Sequence, residues 1–419
     1  MTQWRPTPAL ITAAALAGGL LLIAVLTHEP DLVVLAAPLL IIFSWSLLER
    51  PHGHPGVATP STSARTGEDI AQDWTLQVTD TDGAETVHAF VRSTPQVVMD
   101  PRSGVLVATP GDGQAELAMR WWSRRWGPAD VGSGSCMLWS SWSGFRAGPL
   151  SFHPVRTRVT PAVPPFSATG SAPRPTGLIG ANRSVRQGDG SEFADLRIFQ
   201  SGDRLRRIHW PISARTGQLH VCTMYAELDS EILLVLDAED EYGDPATPSD
   251  TSLDIGVRAC AAMAAHLLHR GERVGLRVIS GVTPGRLRSR GGSAQLRRIL
   301  YELSGVRSAP VGRAGSAPRN RIAASRGTLI VVVTPLTGTA ATVLAAGAAQ
   351  RGLPTVIVDS QPRPEGVDDA AQRLSMLQRQ VRIDGLQQHG LAVVPWRGPG
   401  SLDPVLRRMA AAGRGSRNR

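Results

Sequence analysis

Acids and arginines alternate closely between Gly188 and Glu227. Glu192, Asp195 and Asp203 stand among Arg197, Arg204, Arg206, Arg207 and Arg215. A guanidinium fork matches a carboxylate with two parallel hydrogen bonds, so this alternation suits a lattice of ion pairs, with Phe199 and Trp210 as apolar packing beneath it. Such a lattice has three uses. It can brace a β-rich region against an α/β domain, it can dock a partner through exposed arginines, or it can do acid–base chemistry through Glu192 or Asp203 with His209 assisting. Neither Ser191 nor Ser213 sits in a nucleophile elbow, so no nucleophile stands out.

A second acidic cluster, Asp237-Ala238-Glu239-Asp240-Glu241, ends the apolar run that begins at Glu231, and Asp244 follows. Carboxylates gathered after a buried strand raise the question of a hard cation. Mg2+ demands several oxygens converging on one octahedron, so Asp237, Glu239 and Glu241 are the candidate ligands. The same acids, or Glu192, are where a hydrolase would place its general acid or base. The alternative is a solvated acidic loop. No cofactor is assigned.

The elements that would position these groups follow from hydrophobic patterning. Residues 10–27 and 32–48 are two uncharged apolar runs, each near the length a membrane span needs, separated by His28-Glu29-Pro30-Asp31. Arg5 and Arg50 flank the pair while the turn is acidic, which places both ends and the remaining chain in the cytoplasm. No cleavage site for a signal peptide follows the first run. Residues 1–50 therefore read as a transmembrane hairpin, and 51–69, rich in Pro, Ser, Thr, Gly and His, as a flexible linker.

Residues 70–160 hold short alternating segments such as Trp74–Val78 and Thr86–Arg92, with Asp82-Gly83 as a turn, which predicts a small β-sandwich. Trp121, Trp122, Trp126, Trp139 and Trp142 fall here, either as packing or as a stacking surface for bases or sugars. Residues 161–176 read as a Pro-rich linker and 177–228 as the acid–arginine segment. Over residues 229–412, buried strands (Glu231–Asp237, Val274–Ile279, Leu329–Thr334, Thr355–Asp359, Leu391–Pro395) alternate with helices, which predicts a doubly wound parallel sheet. Ser252 is the expected cap of the first of those helices. Residues 413–419 form a basic tail.

Composition limits the function classes. The 419 residues carry a formal net charge of +9, and every one of the 44 basic residues is Arg. These arginines are scattered along the chain and no nucleic-acid-binding signature accompanies them, so nucleic-acid binding ranks last among the readings. Cys136, Cys222 and Cys260 are too few and too scattered for a zinc site or a disulfide framework, and read as cytoplasmic thiols.

The string Glu192-Phe193, Leu196-Arg197-Ile198-Phe199, Gly202-Asp203, Arg206-Arg207-Ile208-His209-Trp210 and Ser213-Ala214-Arg215 resembles the signature of the domain-of-unknown-function 58 family, in its membrane-tethered actinobacterial form. Arg204 and His209 stand where that family usually carries acids. The resemblance implies two membrane helices, a β-rich region and a von Willebrand A-like, Rossmann-type half. It implies the signature residues as a partner-binding or interdomain surface: Glu192, Phe193, Leu196, Arg197, Gly202, Asp203, Arg206, Arg207, Trp210, Ser213 and Arg215. A von Willebrand A domain binds Mg2+ through Asp-x-Ser-x-Ser and later Thr and Asp residues. Here Glu239 and Glu241 replace both serines, and Thr334-Pro335 stands where a later Asp is expected, so the site is degenerate and no metal is assigned. The function implied is that of a scaffold with no enzymatic activity, held in the membrane and partnering a MoxR-type AAA+ ATPase and a transglutaminase-like membrane protein. A hydrolase is the alternative.

Overall fold

The computed structural model describes residues 3–163, 187–225, 231–243, 250–309, 324, 328–362, 370–401, 403–405, 407 and 408. Asp244, most of the Pro-rich stretch 161–176 and the basic tail 413–419 lie outside them. The chain divides into two compact units, residues 1–162 and 163–419.

The first unit opens with helices α1 (Pro8–Thr27, 20 residues) and α2 (Asp31–Leu48, 18 residues), both long and apolar enough to cross a membrane. Thr7 caps α1 by accepting the amide of Leu10 at 3.3 Å, and Pro8 follows where no amide is required. His28 closes α1 in the left-handed region, at φ 55°. Ala17, Ala24 and Ala36 are buried in the helical hairpin, and small residues allow two helix backbones to approach closely. Leu22, Val25, Val34 and Leu48 are exposed, a surface matched to hydrocarbon.

The rest of this unit is a β-sandwich. One sheet contains Phe145–Phe152, Ser133–Ser140, Ala84–Arg92 and Val105–Ala108; a second contains Gln72–Thr79, Gln114–Ser123 and Val97–Asp100; a third, smaller one joins Gly127–Val131, Val155–Thr160 and Arg65–Gly67. Alternate residues of the two larger sheets, including Trp74, Leu76, Leu117, Trp121, Val87, Ala89 and Leu138, form one buried core with Ala129, Val131 and Val159 of the third. The hairpin is fastened to the sandwich. Arg5 and Pro6 pair with Arg146 and Phe145, and Thr7 donates through Oγ1 to the carbonyl of Ser143 at 2.8 Å.

Residues 51–69 differ from the flexible linker that composition suggests. Gly56–Val57 and Ser61–Thr62 add to the strand Gln72–Thr79, and Arg65–Gly67 pairs in parallel with Arg158–Thr160. Backbone pairing needs no apolar side chain, so a polar, Gly-containing stretch can lie along a sheet edge. Among the tryptophans, Trp121 and Trp126 are buried, Trp122 and Trp139 are partly so, and Trp142 is exposed.

The second unit begins with a two-stranded antiparallel sheet, β1 (Gln187–Ile198) and β2 (His220–Tyr225), with helix α3 (Trp210–Thr216) between them in the chain. It continues through β3 (Glu231–Asp237), α4 (Ser252–His269), β4 (Arg273–Ile279), β5 (Gly285–Arg290), α5 (Ser293–Leu303), β6 (Leu329–Thr334), α6 (Ala340–Gln350), β7 (Thr355–Asp359), α7 (Ala370–Gln388) and β8 (Ala392–Pro395). The six-stranded sheet runs β5-β4-β3-β6-β7-β8, parallel except for β5, which is antiparallel to β4. Both faces are covered. Gly256 of α4 lies against Leu236 and Val333, while Val235, Ile330, Val332 and Ile357 pack with Ala341, Leu344 and Ala348 of α6.

The expected wholly parallel sheet is thus corrected by one edge strand. β5, Gly-Arg-Leu-Arg-Ser-Arg, carries its arginines toward solvent and lacks the apolar run of a doubly buried strand. Thr251, not Ser252, caps α4: Thr251 and Asp254 form a reciprocal capping box, while the Ser252 hydroxyl accepts the amide of Tyr242 at 2.8 Å. α7 was not legible as a helix because Leu374, Leu377 and Val381 are exposed while Ile383 and Leu386 pack inward, leaving no single apolar stripe.

Candidate functional site

The acid–arginine segment folds as a small module on β1, β2 and α3. Glu192 and Phe193 lie on β1, with Phe193 in register with Met224 and Leu196 with Cys222. Arg197, also on β1, reaches over the following turn to Asp203. Its Nη1 and Nη2 donate to the two carboxylate oxygens at 2.7 and 2.6 Å, a bidentate pair. The amide of Gln200 donates to the same carboxylate at 2.8 Å, and Gly202, at φ 106°, supplies the left-handed backbone of the turn. These contacts, the Arg197 hydrogen bonds first, hold the Asp203 carboxyl below the usual carboxylate range.

Ser213 is the buried residue of α3. Its hydroxyl donates to the carbonyl of His209 and accepts the amide of His220 at 2.9 Å, tying the helix to β2. His209 occupies the N-cap position, where Nδ1 accepts the amide of Ile212 at 3.3 Å. An acid at this position would perform the same capping with a carboxylate oxygen, and a ring nitrogen with a free lone pair substitutes for it.

Trp210 departs from expectation. It is 65% exposed and does not pack beneath the ion pairs. As the first residue of α3 it starts a helix whose inward position is Ser213. Leu205 is 69% exposed, Ile198 57% and Leu219 43%, while Arg206 and Arg215 are exposed beside them in sequence. Arg207 is half-buried in a short 3-10 turn, Leu205–Arg207. The module therefore buries its polar ties and turns a tryptophan, two leucines and an isoleucine outward.

The second cluster lies at the carboxyl ends of the parallel strands, where Asp237, Thr334 and Asp359 terminate β3, β6 and β7. The strand order reverses between β3 and β6, the position at which sheets of this kind form a crevice. Asp237 is buried, and both of its oxygens are engaged. Oδ2 accepts the hydroxyl of Thr334 at 2.6 Å, and Oδ1 accepts the amide of Glu239 at 3.1 Å. Burial pushes the Asp237 carboxyl above the usual range, outweighing these hydrogen bonds.

Glu239 and Glu241 turn to other elements. Glu239 accepts the amide of Ala340 at the amino end of α6, and Glu241 accepts the hydroxyl of Thr251 at 2.6 Å. The three candidate ligands are thus held on three different anchors. Among the described residues no group of three or more acids, histidines or cysteines is spaced to hold a metal ion. This donor set does not fit octahedral Mg2+.

Residues 195–361 match the family model described as a protein of unknown function, DUF58. The match takes in Arg197, Asp203, Trp210 and Ser213 as well as Asp237 and Thr334. Uncharacterized proteins of Mycobacterium bovis and Mycobacterium tuberculosis are each 31% identical over 140 residues, 33% of this chain and 43% of theirs. The chain thus covers less than half the length of these relatives.

Two features had no counterpart in the sequence reading. Asp359 pairs with Arg379 of α7, and Arg382 of the same helix donates to the carbonyls of Leu336 and Thr337, so α7 clamps the strand ends. An acid closing the apolar run Thr355–Val358 was the available signal. Two of the thiols are buried, and burial pushes Cys136 up to about 11 and Cys260 higher still.

Proposed function

We propose that the protein is a membrane-held scaffold whose DUF58 module captures a protein partner. The observation that carries this reading is the exposure of Leu205, Trp210, Ile198 and Leu219 in one short module, with Arg206 and Arg215 exposed near them in sequence. Binding hot spots are enriched in tryptophan and arginine, and exposed apolar side chains grouped with charge mark interaction surfaces. In this reading the partner offers an apolar pocket rimmed by acids. The resemblance to DUF58 proteins names its class as a MoxR-type AAA+ ATPase, with a transglutaminase-like membrane protein as a further member of the assembly.

The six-stranded unit is taken as von Willebrand A-like, supported by its strand order and its single antiparallel edge strand, β5. Its strand-end acids serve the fold: Asp237 binds Thr334, and Glu239 caps α6. α1 and α2 span the bilayer with both ends, the β-sheets of the first unit and the whole second unit in the cytoplasm.

The test is isolation of the full chain from native membranes after cross-linking, followed by mass spectrometry. An AAA+ ATPase enriched with the chain is the expected result. Release of the chain by alkaline carbonate, or a captured set with no ATPase, overturns the proposal.

A further inference from the structure

The sandwich and the helical hairpin of the first unit meet at the turn Ser141–Ser143, which joins the strands Ser133–Ser140 and Phe145–Phe152. The amide of Thr7 donates to the carbonyl of Gly144 at 2.9 Å, beside the Thr7 hydroxyl bond to Ser143. A Cβ at Gly144 would lie 2.7 Å from the Cβ of Ser46 and 3.8 Å from Leu10, so glycine permits the close approach. Leu10 is the third residue of α1 and Ser46 the third from the end of α2. The turn is therefore level with the last helical turn at the end of the hairpin where both helices join the sheets. In a spanning hairpin, hydrocarbon gives way to headgroups at that depth.

Two features of this end go unused by the fold. Trp142 is 67% exposed although it holds a left-handed backbone, φ 56°, followed by Ser143 at φ 53°. That conformation is costly for a bulky side chain and leaves the indole in the open. The second feature is positive charge. Arg5 stands opposite Arg146 across paired strands, and the exposed Arg50 lies over the Phe145 ring, 5.8 Å from its centre. Among the described residues none of these three arginines forms an ion pair, not even with Glu49 beside Arg50 in the chain. Met1 and Thr2, which precede Arg5 outside the described residues, carry no acid. Like charges directly opposite each other weaken a sheet, and an anion held between them removes that cost.

We propose that this end of the sandwich is a second membrane contact, with Trp142 seated at headgroup level and Arg5, Arg50 and Arg146 holding the phosphates of anionic phospholipids. The proposal rests on the reading of α1 and α2 as membrane spans. Lipid is the occupant because the patch continues the exposed apolar surface of the hairpin and complements the negative charge of a cytoplasmic leaflet. Indole rings favour the membrane–water interface, and guanidinium forks match phosphate oxygens. Fastened in this way, the sandwich is held against the bilayer.

The test uses the full chain reconstituted in vesicles of phosphatidylcholine with a rising share of phosphatidylglycerol. In parallel series one lipid or the other is brominated near the headgroup end of its acyl chains, and bromine quenches an indole only at close range. The Trp142 signal is the difference between the parent and Trp142→Phe. The Trp45 signal, from α2, is the difference between the parent and Trp45→Phe. Quenching of Trp142 is expected with both lipids, and more strongly with phosphatidylglycerol. Arg5→Gln and Arg146→Gln should each lower that preference about fivefold, the worth of one arginine at an anionic surface, and Arg146→Lys should retain it. Quenching of Trp45 but not Trp142 overturns the proposal and leaves the spans standing, whereas quenching of neither removes the spans as well. Equal quenching of Trp142 by the two lipids, or an unaltered preference in both glutamine variants, also overturns it.

Discussion

Thr334 donates its hydroxyl proton to Oδ2 of Asp237 across 2.6 Å, joining the ends of two neighbouring parallel strands at the point where strand order reverses. Thr334 in turn accepts the amide of Leu336, so one hydroxyl serves both the acid and the following loop. Thr334→Val removes the hydroxyl while keeping the shape. It leaves a buried carboxylate oxygen and a buried amide unpaired, and should cost about 2–3 kcal/mol in denaturant unfolding.

The buried Asp237 predicts a pH dependence of definite sign. Its carboxyl is raised in the folded state, so between the ordinary carboxylate range near ~4 and the raised value the folded protein binds more protons than the unfolded one. The stability associated with this group is therefore fully present at acid pH and declines as pH rises through that window. Asp237→Asn cannot titrate. The stability of the parent relative to Asp237→Asn should fall from acid toward neutral pH, as read by unfolding of both proteins across a pH series.

Much of this architecture was legible in the chain because burial on both faces leaves an unmistakable trace. Leu329–Thr334 and Thr355–Asp359 are continuous apolar runs, and each is a fully buried parallel strand. The β5 edge strand and α7 were not legible, since an exposed edge keeps Arg286, Arg288 and Arg290, and a clamping helix keeps Arg379 and Arg382, in place of apolar residues. The alternation of acids and arginines in the segment announced ion pairing but not its arrangement. Three acids among five arginines allowed many pairings, of which the fold makes Arg197–Asp203, and the outward direction of Trp210 depends on Ser213 being the position that faces β2.

Asp203 predicts the opposite pH response from Asp237. Its carboxyl is lowered by Arg197 and by the amide of Gln200, so its contribution is present above the ordinary carboxylate range and is lost as pH falls through the lowered folded value. Asp203→Asn breaks the bidentate pair at every pH. Hydrogen exchange at the Gln200 and Asp203 amides should quicken in this variant at neutral pH, and in the parent only on strong acidification.

His209 caps α3 through Nδ1, a geometry that an aspartate side chain can reproduce. His209→Ala leaves the Ile212 amide without its partner and should cost about 1 kcal/mol, the usual effect of losing a helix cap. His209→Asp should recover that loss or exceed it, because a carboxylate also favours the positive end of a helix. Thermal unfolding of the three proteins orders them, and an alanine variant as stable as the parent would remove the capping role.

Trp210 and Leu205 separate partner capture from folding. Both are more than half exposed, and neither belongs to a described core cluster, so Trp210→Ala and Leu205→Ala should change unfolding free energy by no more than about 0.5 kcal/mol. Their effect on capture should be large. Truncating a tryptophan anchor at an interface typically costs about 2 kcal/mol or more, enough to lower affinity roughly thirtyfold. Recovery of the cross-linked partner from native membranes should drop accordingly with Trp210→Ala. Arg206→Glu should act mainly on the association rate, its effect shrinking as salt is raised, because exposed charges steer encounter within the Debye length. If Trp210→Ala and Leu205→Ala both capture the partner as well as the parent chain does, the docking surface lies elsewhere on the molecule.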